Sequence, residues 1–94
     1  MTYLVIDPIN AAYLAYHATQ GAHVAWTLED AMALIDSNPL YDKIIIASSL
    51  LSHVPELVRR GYRVEVATAS PTVAEANEAY RAGASDYYVK SLGD

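Results

Sequence analysis

Lys43-Ile44-Ile45-Ile46-Ala47 is the stretch on which the fold of this chain turns. Three consecutive isoleucines suit a strand covered on both faces, which is the habit of parallel sheets rather than of hairpins. Outward from it, Tyr3–Ile6, His23–Trp26, Arg63–Ala67 and Tyr87–Val89 read as further strands. Helical stretches fill the intervals. Asn10 caps the first, which runs to Gln20 and stops at Gly21, and Thr27 with Asp30 three residues on opens a second to Asp36. Ser37-Asn38-Pro39 ends that one. The third covers Val54 to Arg60 with Pro55 in its first turn, and the fourth opens at Ser70-Pro71, runs to Arg81 and stops near Gly83. Strands and helices in strict alternation predict βαβ units, forming one α/β domain over residues 1–94.

Composition supports a folded core and narrows the partners. With 53% apolar and 18% charged residues in 94, the chain belongs among globular domains with one core. A net charge of −5, with Lys and Arg scattered except at Arg59-Arg60, offers no basic stripe for phosphates and argues against direct nucleic-acid binding. No cysteine is present, so disulfides and thiolate metal sites are excluded, in keeping with a cytoplasmic location. The run Tyr3–Ile6 is closed by Asp7-Pro8 and is too short for a signal segment or a membrane span. His17, His23 and His53 lie on separate elements without helical i, i+4 spacing, so no metal or other cofactor is expected. Trp26 is expected in the partly buried core. From Ala11 to Gln20 the first helix has no Asp, Glu, Lys or Arg, a pattern expected of a helix buried on both sides.

With Asp7 ending the first strand, Thr68-Ala69 after the fourth and Ala82-Gly83-Ala84-Ser85-Asp86-Tyr87-Tyr88-Val89-Lys90 at the fifth, the chain resembles a response-regulator receiver domain. The resemblance implies a flavodoxin-like three-layer sandwich with a parallel sheet in the order 2-1-3-4-5. It also implies a site at the strand ends, built from an acidic pair, a phospho-accepting Asp, a Thr or Ser, and a Lys. Asp7, Thr68 and Lys90 match. Pro8 stands at the second acidic position, Ala47 at the acceptor, and Ser91 where a Pro normally follows the Lys.

A methyl group cannot form an acyl phosphate, and one acid beside Ala47 and Pro8 offers too few oxygens for Mg²⁺. A strand register slipped by one or two residues puts Ser48 or Ser49 at the acceptor position, and neither is a carboxylate. The reading is therefore a pseudo-receiver that is not an enzyme, with a vestigial pocket of Asp7, Ala47, Ser48, Thr68 and Lys90. Asp7 and Lys90 are expected to form a residual ion pair. An alternative is a small-ligand or anion sensor using the same crevice. A serine-lysine hydrolase using Ser48 or Ser49 lacks any oxyanion-donor motif. Tyr87 falls at the aromatic position that reports activation in the family, and here a packing role is expected.

The resemblance further implies a fifth helix, whereas the sequence reads as truncated after strand five and stops at Asp94. An apolar patch on strands three to five is then expected beside the uncharged first helix, covered by a second copy in a two-fold homodimer with Tyr13, Tyr16 and one of Tyr87 or Tyr88 at the contact; a fifth helix lost by truncation, or supplied by a different protein, is the competing account. The function expected is a phosphorylation-independent protein-interaction module in signalling or transcriptional regulation.

Overall fold

A computed structural model describes residues 2–38 and 40–90. Its elements are β1 (Leu4–Ile6), α1 (Ala11–Thr19), β2 (His23–Ala25), α2 (Leu28–Ser37), β3 (Ile44–Ala47), a 3₁₀ segment (Ser48–His53), α3 (Val54–Arg59), β4 (Val64–Thr68), α4 (Val73–Ala82) and β5 (Asp86–Val89). The five strands form one sheet in the order β2-β1-β3-β4-β5, and every neighbouring pair is parallel. This is the flavodoxin-like order expected. Pro39, Ser91 and the expected truncation after strand five lie outside the described residues.

Alternation along the strands sorts the core into two layers. Leu4, Ile6, Ile44, Ile46, Val64 and Val66 pack on the side of α2, α3 and α4, against Ala31, Ile35, Val54, Leu57 and Ala79. Val5, Ile45 and Ala67 face the other way, against Tyr13 and Leu14 of α1. The triple isoleucine thus feeds both layers, which is why it carries no polar residue.

Helix ends follow their capping chemistry. Asn10 Oδ1 accepts from the Tyr13 amide at 3.0 Å, and Thr27 Oγ1 accepts from the Asp30 amide at 3.0 Å. The fourth helix starts later than Ser70-Pro71 predicts, because its cap is Thr72, whose Oγ1 accepts from the Glu75 amide at 3.1 Å. Gly83 ends that helix at φ 107°, and a Cβ there would meet a Val58 methyl at 3.2 Å.

Three expectations need correction. The first helix is not buried on both sides: Ala11, Ala12, Ala15 and Ala18 face water, so its lack of charge reflects a small-residue surface. Trp26 is 49% exposed, since β2 is an edge strand that ends one residue earlier, at Ala25. Among the described residues the apolar patch expected on strands three to five is reduced to half-buried Tyr88 and exposed Val89 of β5. Ile45 and Ala67 are buried, and the neighbouring Glu65 is held by two cations. No helix among the described residues is long and apolar enough to cross a membrane.

Candidate functional site

The carboxyl ends of four strands meet at one crevice, as parallel α/β sheets arrange them. Asp7 follows β1, Ala47 ends β3 opposite Ala67, Thr68 ends β4, and Lys90 follows β5 with its amide donating to the Thr68 carbonyl at 2.8 Å. The crevice holds about 220 Å³, and its walls include Asn10, Ser48, Ser49, Ser70 and Glu75 besides Thr68 and Lys90.

An ion pair borders it, Lys90 being in the wall and Asp7 buried behind. Lys90 Nζ lies 2.7 Å from Asp7 Oδ2, with the two side chains 11% and 1% exposed. Asp7 Oδ1 accepts from the amides of Ile9 and Asn10 at 2.9 and 3.0 Å, which fixes the β1–α1 turn. Lys90 is the partner of the enclosed Oδ2, so the ammonium is already neutralised. Ser48 donates to Thr68 Oγ1 at 3.2 Å, and the Ser70 amide donates to the same oxygen at 3.1 Å. The Ser48 hydroxyl is thereby directed at a threonine and the Lys90 amine at a carboxylate, not at each other, which is no arrangement for a serine-lysine nucleophile. Ala47, 3% exposed, is the last residue of β3 and is not among the crevice walls.

The expected tyrosines divide. Tyr13 is a correction: only 2% exposed, it is part of the core under α1 and cannot serve as free contact surface. Burial, and next the charge of Asp7, push its phenol up to about 12. Tyr87 packs on the opposite layer, where its hydroxyl donates to Glu75 at 2.7 Å and accepts from the Thr72 amide at 3.2 Å, tying β5 to the start of α4. Tyr16 and Tyr88 remain half-buried on the α1 side.

Sequence reading missed the polar cluster on that side. Glu65, 4% exposed in the middle of β4, takes Lys43 at 3.3 Å, Arg63 at 3.4 Å and the Tyr88 hydroxyl at 2.9 Å. Burial and then the Glu65 carboxylate raise the Tyr88 phenol far above its ordinary range. Beside this cluster a cleft of about 280 Å³ opens between α1 and β5, lined by Tyr3, Tyr16, His17, Lys43, Tyr88 and Val89 among others. Nothing local marked it, because its walls come from four separate segments. Among the described residues no group of His, Cys, Asp or Glu side chains has the geometry to hold a metal ion.

No protein-family model matches the chain, and no curated protein matches it. Solved structures do. The orphan response regulator HP1043 of H. pylori superposes with a TM-score of 0.76 at 26% identity, over 98% of this chain and 86% of that one. An atypical orphan response regulator, described as having a phosphorylation-independent regulatory mechanism, matches with a TM-score of 0.74 at 26% identity over 96% and 82% of the two chains. A two-component response regulator from Clostridium difficile shares the fold with a TM-score of 0.79 at 22% identity, over 99% and 85%. In strand order, in the strand-end residues it keeps and in these likenesses, the chain has the fold of response-regulator receiver domains and is similar to them, two orphan regulators included.

Proposed function

We propose that residues 1–94 form a single pseudo-receiver domain that works without phosphorylation, as a non-enzymatic interaction module in signalling or transcriptional regulation. The observation that carries this is the buried methyl of Ala47 beside the closed Asp7–Lys90 pair. Where an acyl phosphate would form there is no carboxylate, and the lysine that would meet the phosphoryl group is neutralised. The orphan regulator described as phosphorylation-independent lends support by likeness, and the signalling role rests on that likeness alone. Incubation with a small-molecule phosphodonor and Mg²⁺ is expected to leave the intact mass unchanged. A phosphoryl adduct on the folded chain would overturn the reading.

The partner in this reading is a second copy, in the cytoplasm, with no direct nucleic-acid or membrane contact. A chain of net charge −5 repels its own copy except through a surface free of carboxylates. Among the described residues α1 is the one α-helix without an acid, and the cleft beside it presents Tyr16, Tyr88 and Val89, the last 53% exposed. Alanines let two such helices approach closely, and half-buried tyrosines suit an interface core. Sedimentation at micromolar concentration is expected to show a dimer that Tyr16→Asp converts to a soluble monomer. A wild-type monomer under those conditions refutes self-association.

The strand-end crevice as an anion sensor is the lesser reading. It has hydroxyls to offer, but an entering anion meets Lys90 already paired and the Glu75 carboxylate in the wall.

A further inference from the structure

His17 stands where the tyrosine cluster meets the α1 surface. Its Nδ1 lies 2.7 Å from the Tyr3 hydroxyl, and its ring meets those of Tyr3, Tyr13 and Tyr16 edge-on, with centroids 5.6, 4.6 and 5.2 Å apart. A neutral imidazole whose Nδ1 accepts from the Tyr3 hydroxyl carries its proton on Nε2, and we assign His17 that tautomer. A second proton removes that acceptor, forces the Tyr3 hydroxyl to turn, and sets a cation in the cleft that Lys43 already lines.

The ionisable groups around it do not welcome that cation. From the residue before β1 comes Tyr3, whose ring carries Lys43 at 5.4 Å, and from α1 itself come Tyr13 and Tyr16. From β5 comes Tyr88, and Lys90 lies over the Tyr13 ring at 5.7 Å. The nearby carboxylate, Glu65 on β4, is occupied by Lys43, Arg63 and Tyr88. Burial first, and Lys43 second, hold His17 below its ordinary value, outweighing the helix C-terminus that would favour a cation in the last turn.

We propose that protonation of His17 opposes self-association through the α1 face, so that the dimer is favoured at neutral pH and released under mild acid. The inference rests on the self-association reading above. A second copy laid over α1 takes water from the imidazole and penalises its charged form further, so proton and partner copy compete, and by reciprocity each weakens the other. The general charge trend runs the other way. Acidification brings the net charge of −5 toward zero and lessens repulsion between copies, so a dimer that weakens in acid has a specific group behind it.

The same group gives a sign for stability. Because the folded value is lowered, its stabilising contribution is complete above the ordinary histidine range and is lost as pH falls through the folded value.

The test combines two readouts on the whole chain. Nitrogen-15 NMR is expected to show His17 with its proton on Nε2, titrating below the ordinary value of about 6.5, and Tyr3→Phe is expected to raise that titration point. Sedimentation from about pH 8 to about pH 5 is expected to show the dimer weakening about tenfold, a dependence that His17→Gln removes. Unchanged pH dependence in the Gln variant, or a titration untouched by Tyr3→Phe, overturns the inference. A monomer at every pH, with His17 titrating as described, overturns the self-association reading and leaves the tyrosine lock standing.

Discussion

Lys90→Met is expected to lower the unfolding free energy by about 3 kcal/mol, or roughly 15 °C in melting temperature for a domain of this size. The loss follows from what is left behind, not from the worth of the ion pair itself. Asp7 is 1% exposed, and its Oδ2 has the Lys90 ammonium as its partner, so removing the lysine strands a carboxylate in a dry site. The double variant Asp7→Asn, Lys90→Met is therefore expected to recover most of the loss. An asparagine Oδ1 can keep the Ile9 and Asn10 amide bonds that hold the turn, while the charge disappears. Equilibrium denaturation of the two variants and the wild type decides the matter. Equal destabilisation by the single and double changes would mean that packing of the lysine stem, not an unpaired charge, holds the strand ends together.

That pair is legible in the sequence because both members sit at fixed places in a strongly local pattern. Asp7 closes an apolar strand, and Lys90 ends the Gly-Ala-Ser-Asp-Tyr-Tyr-Val-Lys run, so parallel strands bring the two ends to one edge. The same locality made Asn10, Thr27 and Gly83 readable as helix ends, since a cap is decided within four residues.

Burial of α1 was not legible, because hydropathy scores an alanine on the surface as it scores one in the core. Tyr13 and Tyr16 are three residues apart on one helix. Only the angle at which α1 lies on the sheet puts the first in the core and leaves the second half out. Glu65 was the largest omission. Between Val64 and Val66 it fits an ordinary alternation with one face in water, and its burial depends on Lys43 and Tyr88, which stand 22 and 23 residues away in the sequence.

Glu65 and Tyr88 carry the second large effect. Glu65→Leu is expected to cost about 2 kcal/mol and Tyr88→Phe about 1.5 kcal/mol, since a hydrogen bond to a charged group is worth about 1.5 to 3 kcal/mol. The ion pairs add little to this. The Lys43 side chain is 36% exposed and that of Arg63 58%, so water screens both and recovers them when Glu65 is removed. The buried contact is the Tyr88 hydroxyl on Glu65 Oε1 at 2.9 Å. The double variant should accordingly fall short of the sum of the singles by about 1 kcal/mol or more, and strict additivity would remove the coupling.

Alkaline pH supplies a second sign. The Tyr88 phenol is raised in the folded chain, so its stabilising contribution is fully present below the ordinary tyrosine range, about 10, and is lost as pH rises beyond it. Tyr88→Phe should flatten that alkaline loss, whereas Tyr80→Phe, a change at a 51% exposed ring, should not. The consequence reaches both sites. Tyr88 pins β5 to β4 between Tyr87, which anchors α4, and Lys90, which closes on Asp7. Loosening that bond should therefore also weaken the protection of the Lys90 amide, whose hydrogen bond to the Thr68 carbonyl is the last rung of the β4–β5 ladder.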